Sequence, residues 1–491
     1  MTTEAQIVPF GEWLPDLPEY SNPGALIALN VIPQLQSYRS INDLSSFTNA
    51  IANVCLGAFW AQDAANLVFN FCGDDANLYE LDAGTTWTNV NGPSAPYSAN
   101  NWDFTKFGQL VLAANKNDPI QKWTLGSSTA FEDLGGSPPQ GARIATIRDF
   151  VMVGDLDSLG PNFVQWCGYN NAETWTPSLA TQSDFQELFG RGGRVQRIVP
   201  GDYGVIFMEQ SIFTAEYAGL PTIFQFDEVE TKRGTPAPNS VVWSGDNIWF
   251  YGWDNFYVLR GGRTEPISHN RTSLWFRQNA SETGLESMRA AVDRRNRLVI
   301  WAFRSSSSAL INDRLIIYNW GADKWSYAEV ETQILDEYVA PGFTLDELDV
   351  PLPLGIDLDS IPVDSDQFLG GNIAIQAFDS SNRAATFDGA PLTATIDTKE
   401  ISGPNNSRMF TNAVRPLIEA SGSSTITVQV GARNRLQDNT NFAAPVPLNN
   451  VNGEASVRVN SRYQRYRVNI QDGFSHGNGV KTQSRLSGGR R

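Results

Sequence analysis

The stretch LYELDAGTTWT, residues 78–88, decides how this chain is read. From Glu80 to Trp87 it runs E-L-D-A-G-T-T-W, one residue away from the S-x-D-x-G-x-T-W pattern of an Asp-box turn. The pattern is a hairpin device: the Asp82 carboxylate folds onto nearby backbone N–H groups, Gly84 supplies a positive φ, and Trp87 caps the return strand with apolar area. Two echoes follow, WCGYNNAETW at 166–175 with Asn170 and Trp175, and YNWGADKW at 318–325 ending in Trp325. A catalytic motif sits once in a pocket, whereas a structural turn recurs once per blade of a repeated fold. These turns are therefore expected to be structural.

Short apolar runs repeat on the same scale. NLVFNF, QLVLAAN, FVMVGD, VIFMEQ, IWFYGW and RLVIWAF begin at Asn66, Gln109, Phe150, Val205, Ile248 and Arg297, about 40 to 55 residues apart. Strands recurring at that period suggest propeller blades, six or seven of them. The expected fold is all-β: a β-propeller over 51–330, closed by a hairpin within 367–405, with an extended N-terminal arm over 1–50. The arm is punctuated by Pro15, Pro18, Pro23 and Pro33, which exclude a long helix. Residues 331–366 read as an acidic, Pro-rich insertion or docking arm. From 406 to 491 polar and apolar residues alternate as in a β-sandwich with one wet face, ending in a basic tail.

Composition supports this class. The 491 residues hold 36 Lys+Arg against 53 Asp+Glu, a net charge of -17, so the chain as a whole repels polyanions. With 14 Trp, 41 Gly and 26 Pro it suits short strands and many turns. Cys55, Cys72 and Cys167 lack metal-ligand spacing and are expected to be buried thiols. No secretory leader and no apolar run of about 18 residues is recognised, so a soluble chain without a membrane span is expected.

Catalytic readings are weak. A sialidase-like site would need clustered arginines and a tyrosine; Arg143, Arg194, Arg263 and Arg289 fall near blade starts and Tyr217, Tyr251 and Tyr257 on strands. Residue types alone do not place them together. GRGGRVQR at 190–197 lacks the Lys-Ser/Thr of a phosphate-binding loop, so its arginines are expected to pair with acids of a neighbour. RYQRYR at 462–467 reads as an amphipathic edge strand, with Arg465 and Arg467 on one face and Tyr466 on the other. No enzymatic activity, cofactor or metal is expected. Trp13, Leu17, Leu26, Phe343, Leu345, Arg191 and Arg194 are candidate intersubunit or partner contacts.

Four stretches carry a family resemblance: LPDLPEYSNPGALIALNVIPQLQSYRS (14–40), PGFTLDELD (341–349), FDGAPLTATIDTKEI (387–401) and RYQRYRVNI (462–470), with the closing GGRR. In that order and spacing the chain resembles the tail hub, or nozzle, proteins of P22-like short-tailed bacteriophages, the packaged-DNA stabilisation proteins. The resemblance implies a structural virion protein without catalytic residues, made in the bacterial cytoplasm. It implies a homohexameric ring below a portal-bound adaptor protein, holding a needle or plug and carrying tailspikes or fibres, with DNA passing through its lumen. A propeller glycoside hydrolase and a glycan-binding receptor protein are the alternatives.

Overall fold

The structure, a computed structural model, describes residues 4–82, 85–308, 310–339, 373–420 and 424–487. It is all-β, and most of it is built from four-stranded antiparallel sheets whose strand order follows the chain. The first sheet comprises Gly57–Gln62, Val68–Gly73, Leu78–Leu81 and Trp87–Asn89. The second has Asp103–Phe107, Leu110–Ala114, Gln121–Thr124 and Glu132–Asp133. Gly141–Ile147, Phe150–Leu156, Gly160–Trp166 and Asp184–Glu187 form the third. The fourth holds Val195–Val199, Gly204–Met208, Ile212–Gly219 and Ile223–Glu230. Val242–Ser244, Asn247–Tyr251, Phe256–Arg260 and Arg263–Pro266 make the fifth. In the sixth stand Arg289–Asp293, Leu298–Phe303, Arg314–Asn319 and Lys324–Ala328.

The apolar runs that set the sequence period are the second strands of these sheets. Phe150–Leu156, Gly204–Met208 and Leu298–Phe303 are buried throughout. Each has a hydrogen-bonded neighbour on both sides and packed sheets on both faces, so apolar side chains dominate, and the one acid among them, Asp155, is buried against Lys116 at 2.8 Å. First strands of successive sheets touch in a cycle: Gly57–Gln62 meets Asp103–Phe107, which meets Gly141–Ile147, which meets Val195–Val199. The short helical turn Pro238–Ser240 bridges Val195–Val199 to Arg289–Asp293. This is how propeller blades are arranged around an axis.

The seventh sheet corrects two expected boundaries. Its strands are Leu335–Val339, Ile373–Phe378, Arg383–Thr386 and, outermost, Ser45–Ala50 from the N-terminal segment. Ser45 pairs with Thr386 and Ala50 with Arg383. Residues 45–50, expected in the extended arm, form this strand instead; SSFTNA buries only Phe47 and Thr48, the weak apolar pattern of an outermost strand. Residues 335–339 were assigned to the acidic insertion because Asp336 and Glu337 mask an innermost strand. Leu335–Val339 touches both Arg289–Asp293 and Gly57–Gln62, completing the cycle.

The rest of the N-terminal segment is woven into the C-terminal unit. Beyond Lys324–Ala328 the sixth sheet continues through Ile27–Leu29, Ala394–Asp397, Tyr463–Ile470 and Ile426–Arg433. Facing it is a sheet of Val31–Pro33, Tyr38–Ser40, Phe474–Leu486, Met409–Ala420 and Ala455–Ser461, with Glu4–Pro9 along Phe474–Leu486. Val414 and Val480 of one sheet share a core with Val428, Val468 and Ile470 of the other, and that core runs on to Trp249, Phe256, Trp301 and Trp325 of the fifth and sixth sheets. Tyr463–Ile470 is not the edge strand expected, since it is hydrogen-bonded on both sides. Its faces divide as expected: Tyr466, Val468 and Ile470 are buried, while Arg465 and Arg467 pair with Glu19 at 3.1 Å and Asp397 at 2.7 Å.

Candidate functional site

The innermost strands are where side chains from every sheet converge, and a cavity of about 360 Å³ lies between them. Trp60, Asp103, Ile144, Arg197, Val242, Arg289 and Asp336 line it, one from each first strand. Arg197 donates through Nη1 to Asp103 Oδ1 at 2.7 Å, and the Ile144 N–H donates to Asp103 Oδ2 at 3.0 Å. Arg294 pairs with Glu337 at 2.9 Å. The Ile144 bond and the Arg294 pair tie neighbouring sheets, and the Arg197–Asp103 pair reaches from the fourth sheet to the second.

Two arginines differ. Arg289 donates only to neutral oxygens, to Asn101 Oδ1 at 3.1 Å and to the carbonyls of Leu56 and Glu286 at 3.4 Å. Arg143, 8% exposed, has no partner for Nε or Nη1. Burial pulls the Arg143 guanidinium down to about 10, with the Asp103 charge opposing and the Arg197 charge adding to the fall. Burial pulls Arg289 to about 10 as well, and the Arg143 charge lowers it further. Burial pushes the Asp336 carboxyl up to about 7, although its oxygen accepts the Glu337 N–H at 2.7 Å.

Sequence-derived candidates are distributed as follows. Arg289 lines the cavity, and Arg143 stands one residue before the lining Ile144. Arg194 pairs with Asp155 at 3.5 Å, and Arg263 lies exposed on the outermost strand of the fifth sheet. Tyr217 donates to Gln182 and Tyr257 to Asp254, each at 2.8 Å, and neither they nor Tyr251 line the cavity. The arrangement a sialidase-like site requires is not assembled by these residues. No group of three His, Cys, Asp or Glu suited to a metal occurs among the described residues. All three cysteines are buried and free.

The turn residues take structural positions. Asp82 Oδ1 accepts the Thr86 N–H at 2.9 Å, and Trp87 is 5% exposed. Gly84 lies outside the described residues. Trp325 is buried, its indole N–H directed to the Ile267 carbonyl at 3.3 Å. Asn170 takes a φ of 52°, and Trp175 donates to the Ala172 carbonyl at 2.7 Å. All three turns join a third strand to a fourth, in the first, third and sixth sheets. The motif does not recur in every sheet, because other chemistry makes the same turn. The fifth sheet uses Gly261 and Gly262 with φ of 55° and 74°.

Of the expected partner contacts, Trp13 is fully buried in its own chain, stacked on Tyr327 at 4.9 Å and edge-on to Trp275 at 4.8 Å. It is an internal anchor, because the segment expected to reach a neighbour instead packs on the sixth sheet. Leu17 and Leu26 are half-buried, Arg191 is exposed, and Phe343 and Leu345 lie outside the described residues. Asn101, Asp103, Asn239 and Asp336 were not singled out from sequence, since nothing local marks a residue that faces an axis.

No family model matches the chain, and no curated protein matches it in sequence. Among solved structures it is similar to the computationally designed Ika8 protein, at 9% identity and a TM-score of 0.38, over 71% of this chain and 99% of that one. It is also similar to a chain of a mitotic checkpoint complex, at 8% identity and a TM-score of 0.40, over 73% and 97%. Likeness at this level carries no argument about function.

Proposed function

We propose that this protein is a structural subunit of a short-tailed bacteriophage virion, the hub or nozzle of a P22-like tail. On this reading the seven sheets are the blades of a seven-bladed propeller, and the two facing sheets of the C-terminal unit are a β-sandwich. Six copies form a ring below the portal-bound adaptor, hold a needle or plug, carry tailspikes or fibres and enclose the DNA channel.

One observation supports the reading most. Three of the stretches that carry the family resemblance, far apart in sequence, lie side by side: Ala28 pairs with Ile396, and Ile396 with Val468. The resemblance therefore falls on the joint that welds propeller and C-terminal unit into one body. A conduit that transmits load between head and tail tip needs such a joint, and an enzyme or a lone lectin domain does not. Negative-stain images of the purified protein test it. Six-fold rings that bind an adaptor–portal complex are expected; a lone disc that releases reducing sugar from host polysaccharide, or that binds glycans as a monomer, overturns it.

A further inference from the structure

We propose that the cavity between the first strands binds a small oxyanion, a phosphate or a phosphate-bearing small molecule, through Arg289, Arg197 and Asn101, with Arg143 behind them. This is independent of the tail reading. The argument begins with unmet hydrogen bonds. On residues lining the cavity, the buried side-chain atoms without a partner are Asn101 Nδ2 and Arg197 Nε, and both are donors. Arg143 adds Nε and Nη1. What the site lacks is an acceptor.

Charge points the same way. Lys106, Arg197, Arg289 and Arg294 line the cavity against Asp103, Asp336 and Glu337. Asp103 is engaged by Arg197 and Glu337 by Arg294. Burial disfavours the Asp336 anion, and its carboxyl accepts a backbone N–H rather than an arginine. Arg143 is buried and Arg289 half-buried, neither has a carboxylate partner among the described residues, and the Arg143 charge lowers Arg289 directly. An uncompensated buried cation is strongly unfavourable, and a charge-assisted contact to an oxyanion relieves it.

Dimensions fit. At about 360 Å³ the cavity lies at the small end of ligand pockets, which run from about 300 to 1,000 Å³. Trp60 also lines the cavity beside the charges, and an indole offers the apolar area on which a sugar ring packs.

The test is calorimetric titration of the full chain with inorganic phosphate and, separately, with glucose 6-phosphate, each against sodium chloride at matched ionic strength. Saturable phosphate binding is expected, weakened at least tenfold in Arg289→Met and in Arg143→Met. Tighter binding of the sugar phosphate assigns the site to a phosphate-bearing molecule, and equal binding to the free ion. No heat beyond the chloride control, or binding unchanged in both variants, overturns the proposal. Should either variant fail to fold, selenate-soaked crystals of the unaltered protein decide: an anomalous peak in the cavity is expected, and its absence overturns the site.

Discussion

Trp87 donates its indole N–H to Thr48 Oγ1 at 3.2 Å, and the same oxygen accepts the Ala384 N–H at 2.9 Å. One hydroxyl thus joins the outer strand of the first sheet to two strands of the seventh. Thr48→Val keeps the shape but leaves two buried donors unmet, so a loss of about 2–4 kcal/mol in urea unfolding is expected. Trp87→Ala should cost about 3–5 kcal/mol.

Asp82→Ala removes the acceptor for the Thr86 N–H on the exposed side of the same sheet. A smaller loss of about 1–2 kcal/mol is expected, with the native circular dichroism retained. Loss of a polysaccharide-cleaving activity without loss of folding would reverse the structural reading of this turn.

Asp336 gives the fold a pH dependence of definite sign. Its carboxyl rises from 3.8 unfolded to about 7 folded, because burial disfavours the anion. The folded state therefore holds the proton more tightly, and this stabilisation is full below about pH 4 and lost as pH climbs through about 7. Asp336→Asn should raise unfolding free energy by roughly 2–4 kcal/mol at pH 8 and leave it unchanged near pH 4, as read from denaturant midpoints. A variant equally stabilised at both pH values would show that ionisation is not the cause.

Val339 pairs directly with Ile373, so the 33 residues between them, 340–372, enter and leave the seventh sheet at one point. Replacing 340–372 by an Asn-Gly turn should leave a folded monomer with an unchanged melting temperature. If that segment docks between subunits, the same protein should fail to form rings on a sizing column. Normal rings would remove the segment from assembly.

If six copies form the proposed ring, they carry 6 × -17 = -102 before ions condense, and its lumen should repel duplex DNA over about one Debye length of 8 Å. Linear duplex is expected not to bind purified rings at about 0.15 M salt. Tight binding that weakens steeply with salt would show a basic DNA site and rule out a repelling lumen.

The repeat of four-stranded sheets was legible because most of its second strands are rich in apolar residues; QLVLAAN and RLVIWAF announce themselves wherever a strand is covered on all sides. Its closure was not legible. Ser45–Ala50 buries only Phe47 and Thr48, and Leu335–Val339 carries two adjacent acids, so each sent the opposite of a core signal. The Asp-box turn was read correctly at Asp82 and Trp87, where local hydrogen bonds suffice. Arg143 and Arg289 could be listed as arginines near blade starts, but their missing counter-charges depend on which sheets meet, and 146 positions separate them in the chain.

The seventh sheet also sets an order of events during synthesis. Thr48 and Ala384 are 336 residues apart, so at roughly 5–20 residues per second a ribosome needs about 20–70 s between making one and the other. For that interval six sheets can form, yet the circle stays open and its terminal apolar edges stay wet. A message cut short anywhere before the last sheet yields a crescent that cannot shut. Translation itself therefore acts as an inspector: only a chain read far enough to supply Ala384 can close on its own beginning.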